Sequence, residues 1–167
     1  VTSARSDGAG SRVRTTQQVF DTLTYGARGD LNHAMKMPTA IEGRYLDLAI
    51  KPYTLGVWLG DGTQTTCEFT KAKRDIAIVR FVEEEGYAVT EGATNPRGTS
   101  TRWRVPEIGP VLRRLGLNAE KRIPREYLRA SYPQRLALLQ GLMDTDGYVN
   151  SNGRVFEITS IHQRGNS

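Results

Sequence analysis

TLGVWLGDG at residues 54–62 and LQGLMDTDG at residues 139–147 are two versions of one pattern. Set in register, Gly56 and Gly141 share the third position, the small residues Gly60 and Thr145 share the seventh, and both copies close on Asp-Gly, at Asp61-Gly62 and Asp146-Gly147. Pro52 suits the first turn of a helix. Leu55, Val57, Trp58 and Leu59 make that helix apolar nearly all round, which predicts that it is buried. The second copy predicts another apolar helix over 133–143, carrying Leu136, Leu139, Leu142 and Met143. Glycines at Gly56 and Gly60 cost helix stability, but they are tolerable where a second backbone must come close.

The endings are electrostatically odd. A helix C-terminus carries partial negative charge, so an Asp there is locally unfavourable. Two such helices packed together bring two carboxylates into one neighbourhood, where like charges resist joint ionisation. A divalent cation removes that conflict, and carboxylates combined with water and phosphate oxygens are natural Mg²⁺ ligands. Asp61 and Asp146 are therefore candidates for a metal-assisted phosphodiester hydrolysis site. The plain alternative, Asp-Gly as an ordinary helix stop, explains one copy well and two copies in matching apolar contexts poorly.

Residues 1–14 are rich in Ser, Gly and Arg and read as a flexible segment. Residues 15–51 form a lead-in, with a short helix over 15–23, a polar loop over 26–36 that holds His33, and an alternating strand over 46–50. After the first motif the chain reads as extended over 63–70, helical from Asp75 to Glu85, and extended again over 87–90 and 101–105. On the last strand Thr101, Trp103 and Val105 share one face, and Arg102 and Arg104 the other. A short helix over 106–115, a turn at Lys121-Arg122-Ile123-Pro124 and a helical turn through Leu128 follow. Beyond the second motif come two further strands, 148–149 and 155–159. The repeat thus divides the chain into 52–132 and 133–167.

The 167 residues include a single cysteine, Cys67, which excludes an internal disulfide framework and any cysteine-based zinc cage. A reducing, cytoplasmic setting is expected, and no apolar run is long enough for a membrane span. The net charge of +5 is unevenly spread. Residues 97–135 hold ten Lys/Arg against three acids, a local surplus of +7 that leaves the remainder at −2. Nine of the ten are Arg, which suits planar phosphate and guanine recognition. Arg97, Arg102, Arg104, Arg122 and Arg125 are the candidate DNA contacts, and a solvated, salt-bridged face is the alternative.

LQGLMDTDG matches the LAGLIDADG signature at six of nine positions, and TLGVWLGDG resembles the weaker first copy. The region resembles the LAGLIDADG homing endonucleases carried by inteins. The stretch from TTQQVFDTL to LDLAIKPY resembles what precedes the endonuclease in inteins of bacterial replicative helicases. The resemblance implies an α+β fold of αββαββα units, the first complete and the second truncated at Ser167, after an irregular lead-in. It implies Mg²⁺-dependent, site-specific cleavage of both strands of double-stranded DNA, impaired if the second unit is incomplete. It makes Asp61 and Asp146 metal ligands and catalytic, and Gly56, Gly60 and Gly141 the helix interface. Lys121 becomes a residue that holds water or offsets transition-state charge, or else one more phosphate clamp. It makes the host protein of the intein, a replicative helicase, a partner. Two alternatives are a catalytically inactive DNA-binding remnant and a fragment of a protein-splicing intein.

Overall fold

Thr15 Oγ1 accepts the Gln18 amide at 3.2 Å while Gln18 Oε1 accepts the Thr15 amide at 3.0 Å, the reciprocal cap that starts a helix. In the computed structural model, which describes residues 2–3, 13–34, 39–153 and 155–158, the chain divides into two units, Val1–Ala40 and Ile41–Ser167. The first unit runs through β1 (Thr2–Ser3), α1 (Thr16–Asp21), β2 (Thr24–Tyr25), β3 (Asp30–Leu31) and β4 (His33–Ala34). β2 and β3 form a small antiparallel hairpin and β4 pairs with β1. The loop expected over 26–36 therefore holds strands, with Gly26 and Gly29 supplying the positive φ of the hairpin turn. His33 Nε2 lies 2.7 Å from Thr22 Oγ1. Most of the flexible segment expected over 1–14 lies outside the described residues, as do Thr159 and the tail after it.

In the second unit, α2 (Pro52–Asp61) is followed by β5 (Glu68–Ala72), a 3₁₀ turn (Lys73–Asp75) and α3 (Ile76–Glu84). Next come β6 (Thr90–Thr94), β7 (Ser100–Arg104), α4 (Ile108–Arg114) and α5 (Arg125–Arg129). α6 (Tyr132–Asp146), β8 (Gly147–Val149) and β9 (Phe156–Ile158) complete it. Among the described residues the architecture is mixed α/β, six helices with small antiparallel sheets. No helix among them is long and apolar enough to cross a membrane.

The largest sheet has the order β5-β7-β6, with Phe69 opposite Trp103 and Lys71 opposite Thr101. Its inner face sends Phe69 into a core built with Leu55, Val57 and Trp58 of α2, Ile78, Val79 and Val82 of α3, and Ile108 and Leu112 of α4. Burial of that apolar surface drives the assembly. Arg102 and Arg104 point the other way and are exposed, as the alternation predicts.

Three expected strands differ. The 46–50 stretch is not a strand, because side chains take its backbone groups. Gln134 Oε1 accepts the Leu46 amide at 3.0 Å and Gln134 Nε2 donates to the Leu46 carbonyl at 2.6 Å. The Tyr127 hydroxyl does the same for Ile50, at 3.0 and 2.7 Å. The extended stretch expected over 63–70 becomes a strand only from Glu68, where β5 begins. Before it the Trp58 indole donates to the Thr66 carbonyl at 2.9 Å and pins the loop onto α2, and Gly62 bridges Phe69. The strand expected over 87–90 begins only at Thr90. Before it, Glu107 accepts the Ala88 amide, which takes that group from a ladder, while the Tyr87 hydroxyl accepts the Lys51 amide at the start of α2.

Candidate functional site

α2 and α6 cross backbone to backbone. A Cβ built at Gly56 would fall within contact distance of the Leu138 carbonyl and stand 2.9 Å from Leu142 N and 3.0 Å from Gly141 Cα. One built at Gly141 would crowd the Tyr53 carbonyl and stand 2.9 Å from Val57 N. Such distances leave no room for a side chain. One turn on, Gly60 faces Thr145, and a Cβ there would be 3.4 Å from Asp146 Oδ2. Tyr53 and Gly56 meet Gly141, and Gly60 meets Thr145, so the helices run in the same direction. Asp61 and Asp146, the last residues of each, end in one neighbourhood.

Both ends of α2 are secured by distant side chains. No side chain caps it from Lys51. Glu85, just past α3, accepts the Tyr53 amide at 3.0 Å and the Thr54 amide at 2.8 Å, placing an anion where the helix dipole favours one. At the other end, Lys121 Nζ donates to the carbonyls of Leu59 (3.1 Å), Gly60 (3.3 Å) and Gly62 (2.5 Å). An ammonium has three donors, and these three carbonyls take them. The ammonium also lies 5.0 Å from the centre of the Trp58 ring. Burial pushes the Lys121 proton affinity down, opposed by the charges of Asp146 and Asp61, so Lys121 sits within electrostatic reach of both carboxylates.

The two carboxylates have different surroundings. Asp61 Oδ2 is ion-paired to Lys71 Nζ. Lys71 lies on the inner face of β5 with its side chain 6% exposed, against 31% for Asp61. The same ammonium donates to the Asp144 carbonyl at 3.3 Å, so it bridges the ends of both helices. Asp146 is exposed. Asp144 points elsewhere and accepts the Tyr53 hydroxyl at 2.7 Å. Burial above all, reinforced by that bond and by the Asp144 charge, pushes the Tyr53 phenol well above its ordinary range. Lys71 is the site residue that the sequence reading overlooked. Its signal was a lysine at an inner-face position, two residues after the buried Phe69.

Among the described residues no group of three or more His, Cys, Asp and Glu side chains could hold a metal ion. Two carboxylates at a solvent-open rim nonetheless fit Mg²⁺, which keeps several waters and completes its shell with substrate phosphates.

The candidate DNA-contacting arginines are dispersed. Arg104 makes hydrogen bonds of 3.0 and 2.7 Å to Glu68, and Arg102 lies 3.8 Å from the same carboxylate. Arg122 donates to the Leu115 carbonyl at the end of α4. Arg97, in the β6–β7 turn, and Arg125, at the start of α5, are exposed.

No family model matches the chain. Over 152 residues, 89% of its length, it is 38% identical to a stretch of a replicative DNA helicase DnaB from Mycobacterium intracellulare. The chain spans 23% of that relative's length.

Proposed function

We propose that this chain is the DNA-cleaving region of an intein carried within a replicative helicase, a LAGLIDADG-type endonuclease that hydrolyses both strands of duplex DNA with Mg²⁺. The observation that carries the reading is the Gly56–Gly141 crossing, which delivers two helix-terminal carboxylates to one rim. The likeness to a segment of a DnaB helicase supports the helicase setting.

In this reading Asp61 and Asp146 hold the cation. When bound, Mg²⁺ would polarise the phosphate and supply an activated water. Lys121 keeps the end of α2 wound and contributes positive charge toward developing negative charge on the phosphate. Arg97 and Arg125 meet the DNA backbone, and Arg102 and Arg104 join them once duplex phosphate competes with Glu68.

A second reading, DNA binding without cleavage, draws on the engagement of Asp61 by Lys71. One experiment separates the two. Supercoiled plasmid carrying the uninterrupted host site is incubated with Mg²⁺ and the chain. Linear product is expected, with Asp61→Asn or Asp146→Asn slowing its formation roughly a thousandfold, the equivalent of losing several kcal/mol of transition-state stabilisation. Cleavage indistinguishable from that of a variant carrying both Asp61→Asn and Asp146→Asn would remove the nuclease reading.

A further inference from the structure

We propose that Lys71 is the resident counter-ion of Asp61, and that a divalent cation binds this carboxylate in competition with the Lys71 ammonium. Lys71 is then a positioning residue that sets the cation affinity of the site. The inference rests on the two-carboxylate reading above.

Three observations support it. First, the ammonium approaches Asp61 from the protein side. Lys71 is almost fully buried, whereas Asp61 is about a third exposed, so the open side of the carboxylate faces solvent. Second, the ammonium has somewhere to stay. Its bond to the Asp144 carbonyl holds it at the end of α6 when Asp61 lets go, and β5 pairing opposite Thr101 fixes the strand from which it extends. Third, it answers a local electrostatic need, since two helix C-termini and their terminal carboxylates converge there. A hard dication and an ammonium cannot share one carboxylate without strong mutual repulsion at contact distance, so the lysine must weaken cation binding while it remains.

The two copies differ in this respect. Gly62 bridges Phe69, and Gly147 pairs with Ile158. Two residues further on, the first copy has Lys71 and the second has Ser160, which lies outside the described residues. By sequence, the counter-ion belongs to one carboxylate of the pair.

The test is calorimetric titration of the full chain with Mn²⁺ at fixed pH and ionic strength, with circular dichroism confirming the fold of each variant. Lys71→Met is expected to bind Mn²⁺ at least about tenfold more tightly than the unaltered chain, given the repulsion removed. Lys71→Arg, which restores the charge, should bind within about twofold of the unaltered chain, and adding Asp61→Asn to Lys71→Met should abolish the gain. If Lys71→Met and the unaltered chain bind equally while Asp61→Asn loses the ion, the counter-ion role is overturned and the metal site stands. If no variant binds Mn²⁺ above the Asp61→Asn, Asp146→Asn double variant, the two-carboxylate reading falls and takes this inference with it. Should Lys71→Met fail to fold, Lys71→Gln carries the same measurement.

Discussion

Single residues hold this structure at points that local sequence cannot reveal. The Tyr127 hydroxyl both accepts from and donates to Ile50, across 77 positions. Tyr127→Phe would leave two buried backbone groups without partners and should cost about 1–3 kcal/mol in denaturant unfolding. Burial above all pushes its phenol from 10.0 up to about 12. Between those values the unfolded chain releases a proton that the folded chain keeps. The Tyr127 contribution therefore lowers stability as pH rises through that window and is neutral below it. Melts at pH 8 and pH 11 should show a smaller alkaline loss in Tyr127→Phe. Lys121 behaves in the opposite sense. Its proton affinity is lowered by burial, so the unfolded chain binds the proton more readily and its contribution to stability rises as pH climbs toward the ordinary lysine value. Lys121→Met should abolish that rise and fray the last turn of α2, which amide hydrogen exchange at Asp61 and Gly62 would register as faster exchange. The sequence marks Lys121 as a charge near the site. Its use as a cap on three carbonyls depends on chain folding back across about 60 positions, which no local pattern encodes.

At the scale of elements, the α2–α6 crossing is the most demanding contact, because backbone meets backbone. Gly141→Ala places a Cβ against Val57 N and the Tyr53 carbonyl and should cost about 1–3 kcal/mol or more. Differential scanning calorimetry should then show Tm falling by roughly 2–12 °C. The paired motif made these two helices legible, since a repeated apolar stretch with a matching Gly and an Asp-Gly ending forms a long, specific signal, although Leu136 and Leu139 of α6 are exposed. The shorter elements were less legible. LDLAI over 46–50 alternates like a strand, but alternation describes which side chains are buried and not what bonds the backbone. There the partners are Gln134 and Tyr127 side chains, not a neighbouring strand. The start of β6 differs for the same reason, with Glu107 taking the Ala88 amide that a ladder would use. The inward-facing Lys71 breaks the apolar alternation of β5, so a period-two pattern does not mark it as buried.

For the whole molecule, the +7 concentrated in residues 97–135 is a field whose nearest available charges are partly neutralised. Glu68 holds Arg104 and stands close to Arg102, so the arginine face is a salt-bridged one in the absence of DNA. Glu68→Gln should free both guanidinium groups and tighten duplex binding. The plot of log affinity against log salt should steepen by about one to two units, at about 0.9 per added phosphate contact. An unchanged slope in fluorescence anisotropy titrations would place these arginines outside the DNA contact. Composition made the charge surplus visible, while its pairing required the β5–β7 register. That dependence on distant register also governs how the chain is made. The 46–50 segment is held by residues 127 and 134, which leave the ribosome 77 and 88 positions later. At roughly 5–20 residues per second, its backbone must wait on the order of 4–18 s for its partners. Its backbone groups gain these partners only when α5 and α6 have emerged, so a late-translated part of this unit completes its start.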